Sequence, residues 1–181
     1  MGTNVQELAR EEPVAVAAIA VALGALATVL GAWFFQYVLH YPPCALCLDE
    51  RVPYYFSIPL AAVIAAGAAA RWPGRWLALG LAAIASAMLY NAGLGVYHAG
   101  IEWKWWAGPQ SCSGTFNAFS SSANLLERVQ SGHLVRCDEA AWRFLGVSLA
   151  GWNALISLAL SGIAGAGAWA AWRQGSSSLS Q

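Results

Sequence analysis

Charged residues leave four long apolar gaps in the chain. No Asp, Glu, Lys or Arg occurs at positions 13–48, 52–70, 76–101 or 144–172. A bilayer-spanning helix needs about 20 predominantly apolar residues, so each gap can hold one span. In lipid such runs form helices, and the short alternating segments typical of a membrane β-barrel do not occur. The pattern predicts an all-α membrane protein with a four-transmembrane-helix bundle, with spans at about 14–39, 53–70, 76–99 and 146–171.

The composition agrees with a single integral membrane domain over residues 1–181. Hydrophobic residues make up 59% of the chain and charged residues only 10%, against about 25% charged residues in soluble domains. Nine basic and nine acidic residues cancel, which gives no indication of a nucleic-acid partner. The first apolar run is longer than the core of a secretory signal. We therefore expect it to be retained as a helix, with cleavage as the alternative.

Basic residues predict the orientation in the membrane. Arg71 and Arg75 lie in the short loop between the second and third spans, and Arg173 follows the fourth. Because Lys and Arg accumulate on the inner side, this loop and both termini are predicted to be cytoplasmic. The connections at 40–52 and 100–145 then lie outside, in the periplasm.

The longer outer loop has features of a membrane interface. Trp103, Trp105 and Trp106 follow the third span and are typical of an aromatic belt. The stretch ANLLERV at 123–129 has apolar residues at helical spacing and predicts a short amphipathic helix on the membrane surface. The C-terminal residues 174–181 are rich in serine and predict a disordered tail.

All four cysteines fall on the predicted outer side, where disulfides can form. They are Cys44 and Cys47, spaced C-x-x-C, and the widely separated Cys112 and Cys137. A structural zinc site normally uses two close pairs of ligands, and adding His40 or His133 produces no zinc-finger or zinc-ribbon spacing. We therefore expect no metal, and two purely structural disulfides remain an open alternative.

The surroundings of the C-x-x-C pair favour redox chemistry. Pro42 and Pro43 end the preceding segment, and a helix is expected to start near Cys44. Thiols in the first turn of a helix lie in the positive end of its dipole, which stabilises a thiolate. Arg51 can lie one turn beyond Cys47 on the same face and add positive charge.

A redox-active pair needs an electron acceptor. Thiol–disulfide exchange moves electrons between sulfurs but requires an external sink. The sequence has no C-x-x-C-H haem attachment motif and no Gly-rich dinucleotide motif. A quinone dissolved in the membrane is the acceptor that remains, either ubiquinone or menaquinone.

The chain resembles the disulfide bond formation protein B (DsbB) family of bacterial inner membranes. The resemblance covers nearly the whole chain: four spans, the motif CALCLDER, and a pair of cysteines in the second outer loop. It extends to YHAGIEWKWWAGPQSCSG and CDEAAWRFLGVSLAGWN, at 97–114 and 137–153. It implies a thiol:quinone oxidoreductase that sustains disulfide bond formation by a DsbA-type, thioredoxin-fold partner in the periplasm.

The resemblance also implies a role for each cysteine. Cys112 and Cys137 would form the loop disulfide that oxidises the partner, and Cys112 would form the mixed disulfide with it. Electrons would pass through Cys44, by a transient bond with Cys112, to Cys47 at the quinone. Arg51 and His98 would lie at the quinone as binding residues, whereas Glu102 and His133 receive no firm role.

Two other interpretations stay open from the sequence. A vitamin K epoxide reductase-like protein also combines a four-helix bundle, a loop pair and a C-x-x-C motif, although there the loop pair comes first. A membrane scaffold or carrier would use its cysteines only to staple loops. Which partner is preferred, and whether it is a dedicated one, is not decided by the sequence.

Overall fold

The computed structural model describes residues 5–109 and 137–177, with side chains over 13–109 and 137–174. Its helices are α1 (Val5–Trp33), which continues as a π-helical turn (Phe34–Val38), then α2 (Ala45–Asp49), α3 (Val52–Ala69), α4 (Gly74–Glu102) and α5 (Leu149–Ser177). Two short antiparallel strands, β1 (Arg143–Phe144) and β2 (Val147–Ser148), precede α5. The predicted helix at 123–129 lies outside the described residues, as do residues 178–181 of the predicted tail, whereas residues 174–177 of that tail continue the last helix.

Four segments are long and apolar enough to cross a membrane: Pro13–Val38, Ala45–Ala69, Gly74–Glu102 and Leu149–Gln174. The chain is therefore a four-helix membrane protein, as the apolar gaps indicate. The second segment starts before the expected position 53, because the C-x-x-C motif is itself helical and leads into α3. Residues 100–102, expected in the outer loop, continue α4.

The four long helices form a closed ring in which each packs mainly against two neighbours. α1 packs against α3 and α5, and α4 packs against α3 and, most extensively, against α5. The core between them is built from small and branched apolar side chains, with Leu81, Ile84 and Met88 of α4 completely buried. Close packing of small residues is typical of helices that associate within lipid.

Tight turns end α3 and α4. After α3, the Arg71 amide donates to the Ala68 carbonyl and Arg71 has a φ of 58°. After α4, the Lys104 amide donates to the Ile101 carbonyl and Lys104 has a φ of 62°. Both ends are Schellman caps, which reverse the chain within a few residues. They place Arg71 at one end of the bundle, and Cys44 and the C-terminal end of α4 at the other.

The β1–β2 hairpin was not predicted from the sequence. Phe144 pairs with Val147, so the turn consists of Leu145 and Gly146, which both have positive φ (53° and 80°). This is the backbone required by the two-residue turns that match the twist of a hairpin. The hairpin leads directly into α5 beside the cysteine-bearing end of the bundle.

Candidate functional site

Cys44 and Cys47 form a dithiol in the first turn of α2. Cys44 is the N-cap, with extended backbone, and its sulfur accepts a hydrogen bond from the Cys47 amide at 3.1 Å. The two sulfurs lie 2.6 Å apart, and both cysteines are free thiols. The pKa of Cys44 is lowered because its sulfur accepts hydrogen bonds from the Cys47 side chain and amide, an effect that burial opposes. This geometry favours Cys44 as the thiolate and Cys47 as the donor.

The end of the long outer loop packs directly against this dithiol. Cys137, only 1% exposed, shares a buried cluster with Cys44, Leu46 and Ile101. It is disulfide-bonded, whereas Cys112 lies outside the described residues. The bundle thus places one cysteine of the predicted loop pair next to the first cysteine of the C-x-x-C motif.

An ion pair holds the segment that carries Cys137. Lys104, just after α4, donates to the Asp138 carboxylate at 2.7 Å and to its backbone carbonyl at 2.8 Å. Because the Lys104 side chain is largely exposed, the ion pair contributes little to the free energy of unfolding. It fixes Asp138, the neighbour of Cys137, to the end of α4.

His98 and Glu50 form a buried pair beside Cys44. The His98 Nε2 atom lies 3.6 Å from the Cys44 sulfur, and its Nδ1 atom lies 2.8 Å from Glu50 Oε1. Their side chains are 4% and 8% exposed. Glu102 is also buried and interacts electrostatically with both, and its Oε2 atom has no hydrogen-bond partner in the described part of the chain.

Sequence reasoning assigned no role to Glu50, although a signal was present. A carboxylate three residues after Cys47, at the edge of an apolar span, is costly unless it has a partner. The partner, His98, comes from α4 and is 48 positions away in the chain. Only the packing of α4 against the C-x-x-C segment identifies the pair.

On its other side, the dithiol borders a cavity of about 430 Å³. The volume falls within the range of sites that bind small organic molecules. Apolar side chains of α1 and α5 form most of the walls, including Val29, Phe35 and Ile156. Polar lining residues include Cys47, Glu50, Arg51, Tyr54 and Asn153. Such a cavity fits a flat, mostly apolar molecule with a few polar atoms.

Arg51 lines the cavity beside Cys47, as the predicted helical spacing requires. Its Nη1 atom donates to Gln36 Oε1 at 2.6 Å. Gln36 lies in the π-helical turn that ends the first span, a distortion common at functional sites. The guanidinium is therefore oriented by α1, which sequence spacing alone does not reveal.

Asn153 of α5 adds a donor that was not predicted. Its Oδ1 atom accepts a hydrogen bond from the Tyr54 hydroxyl at 2.7 Å, which fixes the amide. Its Nδ2 atom lies near the Glu50 carboxylate but makes no hydrogen bond to the described residues. A buried N–H group without a partner is uncommon and points to a ligand atom or water.

The predicted site residues therefore divide between two sides of one motif. Cys47 and Arg51 line the cavity, whereas Cys44 faces Cys137 and His98. Among the described residues, His98 is not part of the cavity wall, although it was predicted to lie at the quinone. Its direct contacts are the Cys44 sulfur and the Glu50 carboxylate.

Comparisons with known proteins agree with the four-helix architecture and the cysteine pattern. The family described as DsbB, Disulfide bond formation protein DsbB, matches residues 14–167. The Disulfide bond formation protein B of Albidiferax ferrireducens is 30% identical over 157 aligned positions, which cover 77% of this chain and 83% of the relative. No solved structure matches the chain. The matched range includes all four cysteines.

Proposed function

The chain belongs to the disulfide bond formation protein B (DsbB) family, and from this premise we propose that it is a thiol:quinone oxidoreductase of the bacterial inner membrane. Family membership makes it a multi-pass membrane protein with a role in disulfide bond formation. The finer proposal is that it oxidises a periplasmic thioredoxin-fold protein of the DsbA type and delivers the electrons to membrane quinone.

The observation that carries the proposal is the two-sided placement of the C-x-x-C dithiol. Cys44 packs against the disulfide-bonded Cys137, while Cys47 lines the apolar cavity. Electrons that enter at the loop side therefore need to cross only one pair of adjacent sulfurs to reach the cavity. Two structural clips would have no use for this arrangement.

The proposed relay consists of two disulfide exchanges and one dithiol oxidation. The reduced partner breaks the Cys112–Cys137 disulfide, gains a disulfide of its own, and leaves two thiols on the loop. These thiols reduce a Cys44–Cys47 disulfide and restore the loop bond. Oxidation of the Cys44 and Cys47 thiols then releases two electrons and two protons, which regenerates their disulfide.

The cavity suits a quinone as the acceptor. A quinone supplies the sink, because it takes up two electrons and two protons to become a quinol. Arg51 and the unpartnered Nδ2 atom of Asn153 are donors that can bind its carbonyl oxygens. Apolar residues of α1 and α5 surround the remaining volume and exclude water.

The chain's own residues set the protonation of the dithiol. Cys44 is held as the better thiolate by hydrogen bonds from Cys47. In the exchange with the loop, a loop thiolate is the nucleophile that attacks the Cys44 sulfur of the Cys44–Cys47 disulfide, and the Cys47 sulfur leaves as a thiolate. Cys47 then reacts at the cavity, where Arg51 supplies positive charge.

The test is quinone-coupled oxidation by the purified protein. We expect reduced thioredoxin-fold substrate to be oxidised at the rate of quinone consumption, and Cys44→Ser or Cys47→Ser to abolish both. Unchanged turnover in these variants would overturn the oxidoreductase proposal and favour a scaffold with structural disulfides. Exposed His40, replaced by Ala, serves as the matched control and should leave the rate unchanged.

The quinone site has a separate test. We expect Arg51→Ala or Asn153→Ala to raise the apparent KM for quinone about tenfold, since each removes one hydrogen bond of about 1.5 kcal/mol. The rate at which the substrate reduces the loop disulfide should not change. If the KM for quinone stays constant in both variants, the cavity is not the quinone site.

A further inference from the structure

We propose that the reduced dithiol and His98 form a binding site for a thiophilic divalent cation, with Zn²⁺ as the prototype. The three donor atoms, the sulfurs of Cys44 and Cys47 and the Nε2 atom of His98, all lie within 4.8 Å of one another. Two thiolates and an imidazole are ligands that zinc prefers. The sequence did not indicate this set, because the histidine comes from α4 and not from the neighbourhood of the cysteines.

One of the distances already fits a tetrahedral zinc ion, and a second can be adjusted to fit. With Zn–S of about 2.3 Å and Zn–N of about 2.1 Å, a sulfur and a nitrogen on one zinc lie about 3.6 Å apart. The Cys44 sulfur and His98 Nε2 are separated by 3.6 Å. The two sulfurs, now 2.6 Å apart, would need to move to about 3.8 Å. A rotation of the less buried Cys47 side chain can supply this movement.

Glu50 orients the imidazole for this purpose. Its Oε1 atom lies 2.8 Å from His98 Nδ1, so that nitrogen is engaged and Nε2 is left to face the sulfurs. A carboxylate that holds the distal nitrogen of a metal-bound histidine is the usual outer-shell arrangement of zinc sites. The pair is buried, which fixes the ring before any ion arrives.

The local charges also favour a cation. Glu50 and Glu102 both interact electrostatically with His98, and Glu102 has a buried oxygen without a partner in the described residues. Arg51 opposes them, but its guanidinium is directed to Gln36. Lys104 is engaged with Asp138. A divalent ion adds positive charge beside these buried carboxylates and stabilises the two thiolates that form when it binds.

The site exists only in the reduced protein. Binding converts two thiols to thiolates, releases two protons and changes no oxidation state. A Cys44–Cys47 disulfide removes both sulfur ligands, so the oxidised protein cannot bind the ion in this way. Conversely, a bound ion blocks formation of the disulfide. The bound ion would thus keep the dithiol reduced and stop turnover reversibly. This last consequence rests on the proposed function, whereas the binding itself does not.

Cobalt spectroscopy tests the binding without any assay of turnover. We expect Co²⁺, added to reduced Cys112→Ser/Cys137→Ser protein, to give tetrahedral d–d bands and thiolate-to-cobalt charge transfer at one ion per chain. Zn²⁺ should displace it. Prior oxidation of the remaining dithiol should abolish the spectrum. A spectrum that survives this oxidation, or one that never forms in the reduced protein, overturns the proposal.

Variants separate this site from other thiol chemistry. His98→Ala should weaken Zn²⁺ binding at least tenfold, and Glu50→Gln, which preserves the shape, should weaken it about tenfold. His40→Ala is the matched control and should bind normally. Equal affinity in all of these proteins would show that the cysteines bind metal without His98 and would overturn the assigned ligand set.

Inhibition of turnover forms a separate measurement. We expect micromolar Zn²⁺ to stop quinone-coupled oxidation in the unmodified protein, and a chelator to restore it. If the cobalt spectrum forms but the protein has no oxidase activity, the proposed function fails and the metal site stands. If turnover is normal and no spectrum forms, the metal site fails and the function stands.

Discussion

At the residue scale, the two cysteines of one short motif have different environments. Cys44 is 5% exposed and packs with Cys137, its sulfur lies 2.6 Å from the Cys47 sulfur, and it accepts a hydrogen bond from the Cys47 amide. Cys47 is less buried and borders the cavity. From the sequence, Arg51 is expected to stabilise a thiolate at Cys47 or an anion on a bound partner. In the structure, hydrogen bonds from Cys47 lower the pKa of Cys44.

Replacement of Cys47 tests this assignment. We expect Cys47→Ala to raise the pKa of Cys44, because the largest cause that lowers it is the Cys47 side chain. A raised pKa means less thiolate at neutral pH, so the titration midpoint moves to higher pH. Thiolate ultraviolet absorbance, measured against pH in a Cys112→Ser/Cys137→Ser background, reads this midpoint. Cys47→Ser, which keeps a donor, should shift it less. A midpoint that stays in place would assign the lowered pKa to another cause.

At the element scale, the contact between α4 and α5 positions the site. It brings His98 of α4 and Asn153 of α5 to the end of the bundle where α2 begins. Gly95, one turn before His98, allows the close approach. A Cβ atom there would lie 3.0 Å from the Ala150 carbonyl oxygen and 3.0 Å from the Ala154 amide nitrogen. Backbone atoms cannot yield as a flexible side chain can.

Gly95→Ala should therefore destabilise the bundle and displace the site. We expect a loss of about 1–3 kcal/mol, typical of overpacking in a well-packed core, measured by thermal unfolding in detergent. Quinone-coupled turnover should fall as well. Gly93, in the same helix, has nothing within 4 Å of an added Cβ atom, so Gly93→Ala is the matched control and should be neutral or stabilising. Equal stability of the two variants would contradict this role of Gly95.

At the scale of the whole molecule, the cysteines and the basic turn after α3 lie at opposite ends of the bundle. Cys44, Cys137 and the end of α4 meet at one end of the bundle. The turn between α3 and α4, with Arg71 and Arg75, lies at the other. If the positive-inside rule places this turn in the cytoplasm, the cysteines face the periplasm, where a disulfide can persist.

Labelling from the two sides of the membrane tests this orientation. Trp72 and Trp105 occupy equivalent exposed positions just after α3 and α4, at opposite ends of the bundle. In a cysteine-free background, Trp105→Cys should react with an impermeant thiol reagent in intact cells, while Trp72→Cys should react only after lysis. The reverse pattern would invert the predicted topology.

The sequence by itself determined the four membrane-spanning helices and the identity of the chemical groups. Long runs without charge form transmembrane helices in lipid, and the C-x-x-C motif with a following Arg favours redox chemistry without excluding structural disulfides. Hydrophobic patterning also identified the spans to within a few residues at most of their ends. It could not detect the β1–β2 hairpin, which is only two residues per strand and depends on a local turn.

Only the tertiary structure decided what each of these groups touches. His98 meets Cys44 and Glu50, and Asn153 meets Tyr54, across helices that are far apart in sequence. Such contacts depend on the rotation and offset of packed helices, which apolar periodicity leaves undetermined when every face of a span is hydrophobic. The dithiol could therefore be predicted from the sequence. That Cys44 faces Cys137 while Cys47 faces the cavity could not.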